Sequence, residues 1–361
     1  MPLALTRLLH DLGVADPAGS GWKVVVLVFL AAALITWRFT PRVRAFALRV
    51  GWADEGGGRR MHTGRLPNAG GLAVYAGVVG ALVLAAVLRP IVVDRVLIQL
   101  LTILLGGSLL LFVGFLDDQF GLSPGFRLGV QTLAALLAYA GGVRIEAAFG
   151  GFLAPGLSLA LTWLWIVGIT NAMNLIDGLD GLAGGIAYLT AVALLFASAQ
   201  FPSRAAATLV LAALAGAALG FLRHNLPPSR IIMGDAGAYF FGYVLASAAI
   251  LGYVKVTTVF ALVPVALFLA VPILDTSLVF VRRLLAGKNP LKTPGRDHLH
   301  HRLVARGLST WRTVVVLWGV SLVADLLALD LQRLPPAALA ATALLGALGL
   351  AFVSWRRGRA G

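Results

Sequence analysis

The sequence predicts an all-α, polytopic integral membrane protein, and three observations carry that reading. Mean hydropathy is +0.91, with 59% of the residues apolar and only 12% charged. Apolar runs of about 20 residues recur, each long enough to cross the hydrocarbon core as a helix. The 29 Lys and Arg are shared unevenly among the connections between those runs. The longest polar stretches, Arg38–Asn68 and Arg282–Arg312, are too short to form a separate soluble catalytic domain. The chain therefore reads as a single transmembrane domain over 1–361, with its polar motifs in loops within 59–303. Cys is absent, which excludes disulfides and thiolate metal sites. The net charge of +14 fits basic cytoplasmic loops better than a nucleic-acid partner in so apolar a chain.

Eleven spans are expected, at 22–37, 70–88, 96–116, 127–140, 157–170, 183–199, 205–222, 236–253, 257–281, 313–330 and 336–355. The polar segment Met1–Gly21 before the first has no signal-peptide cleavage pattern. Several spans are rich in Gly and Ala, which lets helices approach closely in lipid. With the N-terminus outside, the connections after odd-numbered spans and the C-terminus, together with Arg127 at the edge of span four, hold 21 of the 29 Lys and Arg. The positive-inside rule makes that side, and the C-terminus, cytoplasmic. The acidic motifs fall on the same side, although the basic residues alone set the topology. No internal repeat of solenoid period is visible.

Only 15 carboxylates occur, and seven of them are the Asp residues from the end of span three to the loop after span nine, most of them in or near apolar runs: Asp117, Asp118, Asp177, Asp180, Asp235, Asp275 and Asp297. A carboxylate there is costly unless it meets a cation, a partner or water. The run Gly114-Phe-Leu-Asp117-Asp118-Gln-Phe-Gly121 ends span three, and two adjacent acids repel unless a cation or proton is shared. The aspartate-rich motif of prenyl transferases wants a third acid where Gly121 stands. In Asn174-Leu-Ile-Asp177-Gly-Leu-Asp180-Gly, polar residues recur every third position, on one face of a helical turn. CDP-alcohol phosphotransferases also carry Asp-Gly pairs, but the Ala-Arg dipeptide they need is replaced here by Leu182-Ala183-Gly184-Gly185. Asn225 precedes Met233-Gly234-Asp235, where an acid opens a span among small neighbours and a helix N-terminus favours anions.

The largest basic loop carries Arg296-Asp297-His298-Leu-His300-His301-Arg302. Three His among Arg and Lys suit phosphate, and the surrounding positive charge disfavours a transition metal. Arg59-Arg60-Met61-His62, ahead of the Gly70-Gly71 helix start, suits an anionic ligand, although the positive-inside rule explains those Arg equally well.

In this order the motifs resemble those of the polyprenyl-phosphate N-acetylhexosamine-1-phosphate transferases, over about Arg60–Leu303. The His-Leu-His-His loop resembles the UDP-GlcNAc:undecaprenyl-phosphate branch. The phospho-N-acetylmuramoyl-pentapeptide branch instead has three consecutive His after a Pro. Asn68 departs from the family, which often has a large or basic residue there. The resemblance implies that a polyprenyl (undecaprenyl) phosphate oxygen attacks the sugar-bearing phosphate of a UDP-sugar and UMP leaves, the first membrane step of a cell-envelope glycan. Magnesium, with manganese as substitute, is the implied cofactor and Asp235 its implied ligand. The implied catalytic residues are Asp117, Asp118, His300 and His301. The implied substrate-binding residues are Arg60, His62, Asn174, Asp177, Asp180, Asn225, Arg296, His298 and Arg302. The implied location is a bacterial cytoplasmic (inner) membrane with the site facing the cytoplasm. Partners are the UDP-sugar, the polyprenyl phosphate and membrane lipid, with a homodimer admitted and no nucleic acid. The competing class is a cation- or proton-coupled transporter, which calls for acids at the midplane of the bilayer rather than at one face.

Overall fold

A computed structural model describes residues 21–57, 60–148, 151–253, 262–289 and 297–358. Among these residues fourteen α-helices follow one another: α1 Gly21–Val50, α2 Gly70–Leu88, α3 Pro90–Arg95, α4 Leu97–Phe120, α5 Pro124–Ala140, α6 Pro155–Ile176 and α7 Leu182–Ala199, then α8 Ala205–Asn225, α9 Gly234–Tyr253, α10 Leu262–Phe268, α11 Ala270–Leu285, α12 Leu299–Ala305, α13 Thr310–Leu331 and α14 Pro336–Gly358. Two small antiparallel hairpins interrupt them, β1 Ala53–Gly57 with β2 Arg60–Pro67, and β3 Ala147–Ala148 with β4 Gly151–Phe152. The hairpins are an addition to the all-α expectation, and they occupy connections rather than spans.

Eight of the described helices are long and apolar enough to cross a membrane: α1, α2, α4, α6, α7, α8, α9 and α13. The chain is a multi-pass, helical membrane protein. The other three expected segments are helical but fall outside that set. α5 has 17 residues, the described part of the 257–281 segment, from 262 on, is divided between α10 and α11, and in α14 the apolar part is Pro336–Gly349. The division at Leu269 has a local cause. Pro272 has no N–H to give to the Phe268 carbonyl four residues back. The Thr190 hydroxyl of α7 donates to that carbonyl instead, at 2.8 Å, as polar side chains do for broken helices in lipid.

Helices α7, α8 and α9 form the centre. Their apolar windows are 94–100% buried by protein, against 33–44% for the five around them. Helices buried on all sides need no polar face, and α7 accordingly lacks one. Small residues set the crossings. A methyl on Gly216 or Gly220 of α8 would strike the Phe29 or Ala33 carbonyl of α1, so this Gly-x-x-x-Gly pair lets two backbones touch. α1 also runs 13 residues past its expected end at 37. Its extension is tied to the α8–α9 region by Arg44 Nε donating to the Arg230 carbonyl (2.9 Å), and the residue just before the extension by the His224 ring against the Trp37 carbonyl (3.0 Å).

Candidate active site

Helix ends build the acidic centre. α4 ends at Phe120 in a left-handed Gly121, with φ of 65°. Its last turn carries both acids, and because successive helical residues lie about 100° apart the two point to different partners. Asp117 accepts from Arg127 Nη1 and from the Leu122 N–H, each at 2.7 Å. Tyr239 of α9 lies close to the same guanidinium. Asp118 Oδ2 accepts from the Asp235 N–H at 2.8 Å. It thereby caps α9, where the orphan N–H groups and the helix dipole both favour a carboxylate. Asp235 Oδ1 in turn accepts from Asn174 Nδ2 at 2.9 Å, from the last turn of α6. Of the adjacent pair, Asp118 is the one that bonds the N–H of Asp235.

Glycine makes these contacts fit. Gly234 has φ of 74°, and a Cβ there would lie 2.5 Å from both Asp118 Oδ2 and the Asn68 carbonyl. A methyl on Gly114 of α4 or Gly71 of α2 would strike the backbone of Ala236 or Gly237. The first N–H groups of α2 are satisfied across the chain, Gly70 by the Ile232 carbonyl (3.1 Å) and Gly71 by that of Met233 (3.0 Å). Asn68, 4% exposed, accepts from Gln119 Nε2 at 3.3 Å, which gives the residue that departs from the family pattern a bond to the α4 terminus.

The α6–α7 turn is stitched to the α8–α9 loop. Asp180 Oδ2 accepts from the Ser229 N–H (3.1 Å), Asn225 Oδ1 from the Gly181 N–H (3.0 Å), and Asn225 Nδ2 donates to the Ile231 carbonyl (3.0 Å). In this arrangement both ends of the Asn225 amide are engaged by backbone. Asp177 caps the end of α6 in the same turn.

The His cluster is set by α11. Asp275, 1% exposed, meets His298 Nδ1 at 2.6 Å and accepts from the Leu299 N–H at 2.5 Å. Arg283 holds Asp297 with two bonds, at 2.8 and 2.6 Å. That grip holds the Asp297 carboxyl below its ordinary range. His300 is 1% exposed, and its ring lies 4.1 Å from that of His301, centroid to centroid. Burial, reinforced by His301, pushes its pKa down to about 3. It is therefore a neutral ring at physiological pH, able to give or take a hydrogen bond but not to add charge. A methyl on Gly178 would strike the His300 imidazole, so α12 docks on the turn that carries Asp177 and Asp180. Arg302 lies half-buried on α12.

Of the residues singled out from sequence, Asp118, Asp235 and Asn174 converge directly. Asp177, Asp180, Asn225, His298, His300 and His301 belong to the adjoining turn and helix. Arg60 and His62 lie on β2, their side chains outside the described part, and Arg296 lies outside the described residues. Arg127, Gln119 and Asp275 were not singled out as site residues. Asp275 was visible as an acid in an apolar run, but its partner lies 23 residues on. Arg127 follows Asp117 by ten residues, in the first turn of α5.

Among the described residues no three His, Asp or Glu side chains form a metal cage. The joined pair Asp118 and Asp235, with the Asn174 amide, offers hard oxygen donors, the kind that suits a cation also held by substrate phosphates.

Comparison with known proteins defines the class. Residues 100–253 match the family described as glycosyl transferase family 4. A probable undecaprenyl-phosphate N-acetylglucosaminyl 1-phosphate transferase of Bacillus subtilis (strain 168) is 34% identical over 315 residues, 85% of each chain. A decaprenyl-phosphate N-acetylglucosaminephosphotransferase of Mycolicibacterium smegmatis is 36% identical over 327 residues, 83% of this chain and 80% of the relative. A phospho-N-acetylmuramoyl-pentapeptide-transferase of Shouchella clausii is 29% identical over 321 residues, 83% and 94%. The chain belongs to this family of membrane sugar-phosphate transferases.

Proposed function

We propose that this chain transfers GlcNAc-1-phosphate from UDP-GlcNAc to undecaprenyl phosphate in a bacterial inner membrane, with its site facing the cytoplasm. The observation that carries the reading is the junction of Asp118, Asp235 and Asn174 at three helix ends, beside the Asp177–Asp180 turn and the His helix. The eleven-span arrangement, N-terminus outside and C-terminus cytoplasmic, is part of the same proposal and rests on the basic-residue asymmetry. A transporter is disfavoured because these acids sit at helix termini and cap them.

In the proposed step an oxygen of the lipid phosphate forms a bond to the sugar-bearing phosphorus of UDP-GlcNAc. The bond from that phosphorus to the bridging oxygen breaks, and UMP leaves with the oxygen. Magnesium, bound by Asp235 and supported by Asp118, would neutralise the diphosphate charge. Asn174 orients the Asp235 carboxylate. Asp177, Asp180 and Asn225 shape the nucleotide end. His298, His300, His301 and Arg302, with Arg60, His62 and Arg296, form the phosphate side. His300 acts there as a neutral hydrogen-bonding group while the Arg residues supply charge. A phosphate monoester has a second pKa of about 6, so the nucleophile is largely ionised at neutral pH. Asp117, committed to Arg127 and Leu122, is thus assigned to positioning rather than to proton abstraction.

The test is a panel of UDP-sugars with undecaprenyl phosphate and the full chain in lipid, reading UMP release with and without magnesium. Release from UDP-GlcNAc supports the reading. Release only from UDP-N-acetylmuramoyl-pentapeptide would replace it with the branch of the Shouchella clausii relative. No release from any sugar nucleotide would sink it.

A further inference from the structure

We propose that Asp275 is a positioning residue for the transfer: one carboxylate oxygen fixes the tautomer of His298, and the other fixes the start of α12, so that the His cluster is held over the Asn174–Asp180 turn. The catalytic part of this inference rests on the function proposed above. The tautomer part does not.

A carboxylate buried as deeply as Asp275 costs several kcal/mol unless its lone pairs are met. Here both oxygens are used, one by His298 Nδ1 (2.6 Å) and one by the Leu299 N–H (2.5 Å). An ionised carboxylate only accepts, so the His298 proton sits on Nδ1 and Nε2 is the ring atom left for other chemistry. The second bond supplies a helix cap from another element. His298 occupies the N-cap position of α12 but makes no side-chain cap, and Asp275 satisfies one of the orphan N–H groups in its place.

A helix of seven residues has little stability of its own, so what grips it places it. Farther along α11, Arg283 takes Asp297 in a bidentate pair. Residues 297, 298 and 299 are thus each held from α11, directly ahead of His300, which meets the acidic turn, and of His301 beside it. His300 then presses on Gly178. A line of contacts runs from α11 through Asp275 and α12 to the turn bearing Asp177 and Asp180.

The experiment uses the full chain in detergent, with 15N-labelled histidine and the signal assigned by its loss in His298→Gln. The wild type should show His298 protonated at Nδ1. In Asp275→Asn the amide oxygen can still cap Leu299, but the amide nitrogen now donates to Nδ1 and drives the proton to Nε2. kcat for UMP release should fall about 10- to 100-fold, the usual cost of losing a group that orients a functional imidazole. KM for UDP-GlcNAc should stay within about threefold, and the melting temperature should stay close to that of the wild type. The double variant Asp275→Asn/His298→Gln should be no slower than His298→Gln alone. An Nε2-protonated His298 in the wild type overturns the proposal even if Asp275→Asn does not fold. So do unchanged kcat in a folded Asp275→Asn and additive losses in the double variant. An inactive wild type with the tautomer change intact would instead defeat the proposed function.

Discussion

The acidic centre and the His cluster lie side by side but are held in different ways. In the first, Asp118 is placed by the backbone: it meets the N–H that opens α9, at a crossing that only glycine permits. In the second, Asp275 and Arg283 reach across from α11 to His298 and Asp297. A site set by main chain is as rigid as its helix crossings and moves only if a helix moves. A site set by ion pairs and imidazoles can be altered one side chain at a time. Under the function proposed above, the contrast suits a division of labour in which a fixed metal position would meet an adjustable phosphate-binding surface.

The strongest way to break that contrast is at Asp235. Asp235→Asn keeps the size, can keep the Asn174 contact and loses the charge. Activity should fall by about 10³-fold or more, because a metal's charge stabilisation is worth several kcal/mol. The magnesium titration of the residual rate should flatten, and near-normal turnover would remove Asp235 from the metal.

His300 comes next, with two readouts. His300→Ala should lower kcat/KM by about 10²-fold, the scale expected for one preorganised hydrogen-bond donor. Its pKa of about 3 in the fold lies below that of a free imidazole. Between about pH 6.5 and 3 the unfolded chain therefore takes up a proton that the native state refuses. Stability should fall with acidification by about 1.4 kcal/mol per pH unit across that window, and be fully present above it. Melting curves of wild type and His300→Gln should diverge there, the wild type being the steeper. Parallel curves would mean that His300 is not buried as a neutral ring.

Two glycines sharpen the comparison directly. Gly234→Ala places a left-handed residue against Asp118 and the Asn68 carbonyl. It should cost about 1–3 kcal/mol of stability, together with the geometry of the centre. Gly178→Ala meets the His300 ring first. Its defect should shrink when His300 is also shortened to Ala, whereas no single side-chain truncation should rescue Gly234→Ala. Rescue of both would erase the distinction. The smallest effect is expected at Arg283→Gln. Asp297 is 35% exposed at its side chain, and pairs of that kind contribute about 0.2–1 kcal/mol. A loss of activity beyond about tenfold would promote Arg283 from support to direct contact.

The helices and the acidic motifs were legible because hydropathy and charge are local properties. The starts of α7 and α9 fall within a few residues of expectation. What sequence could not supply were partners. Asp118 finds an N–H 117 residues away, and Asn174 finds Asp235 across 61 residues. Asp117 finds Arg127, on the helix that follows. The α1 extension also escaped notice, because its later turns are basic and read as loop. Their backbone bonds are made within the helix, whatever the side chains prefer. The division at Leu269 had a visible sign in Pro272, but the hydroxyl that repairs it belongs to α7.

The central helices carry a consequence for the lipid around the protein. α7 has 18 residues, or about 27 Å at 1.5 Å each, slightly less than a typical hydrocarbon core. Wrapped by other helices, it has no contact with acyl chains to make that shortfall costly. Thickness mismatch must be absorbed by the outer helices, through tilt or local thinning. The site lies at the ends of α6, α7 and α9, two of which belong to the shielded group. Its depth is therefore fixed by protein rather than by membrane. Bilayers that differ in thickness should change how readily a lipid substrate reaches the site far more than they change the chemistry within it.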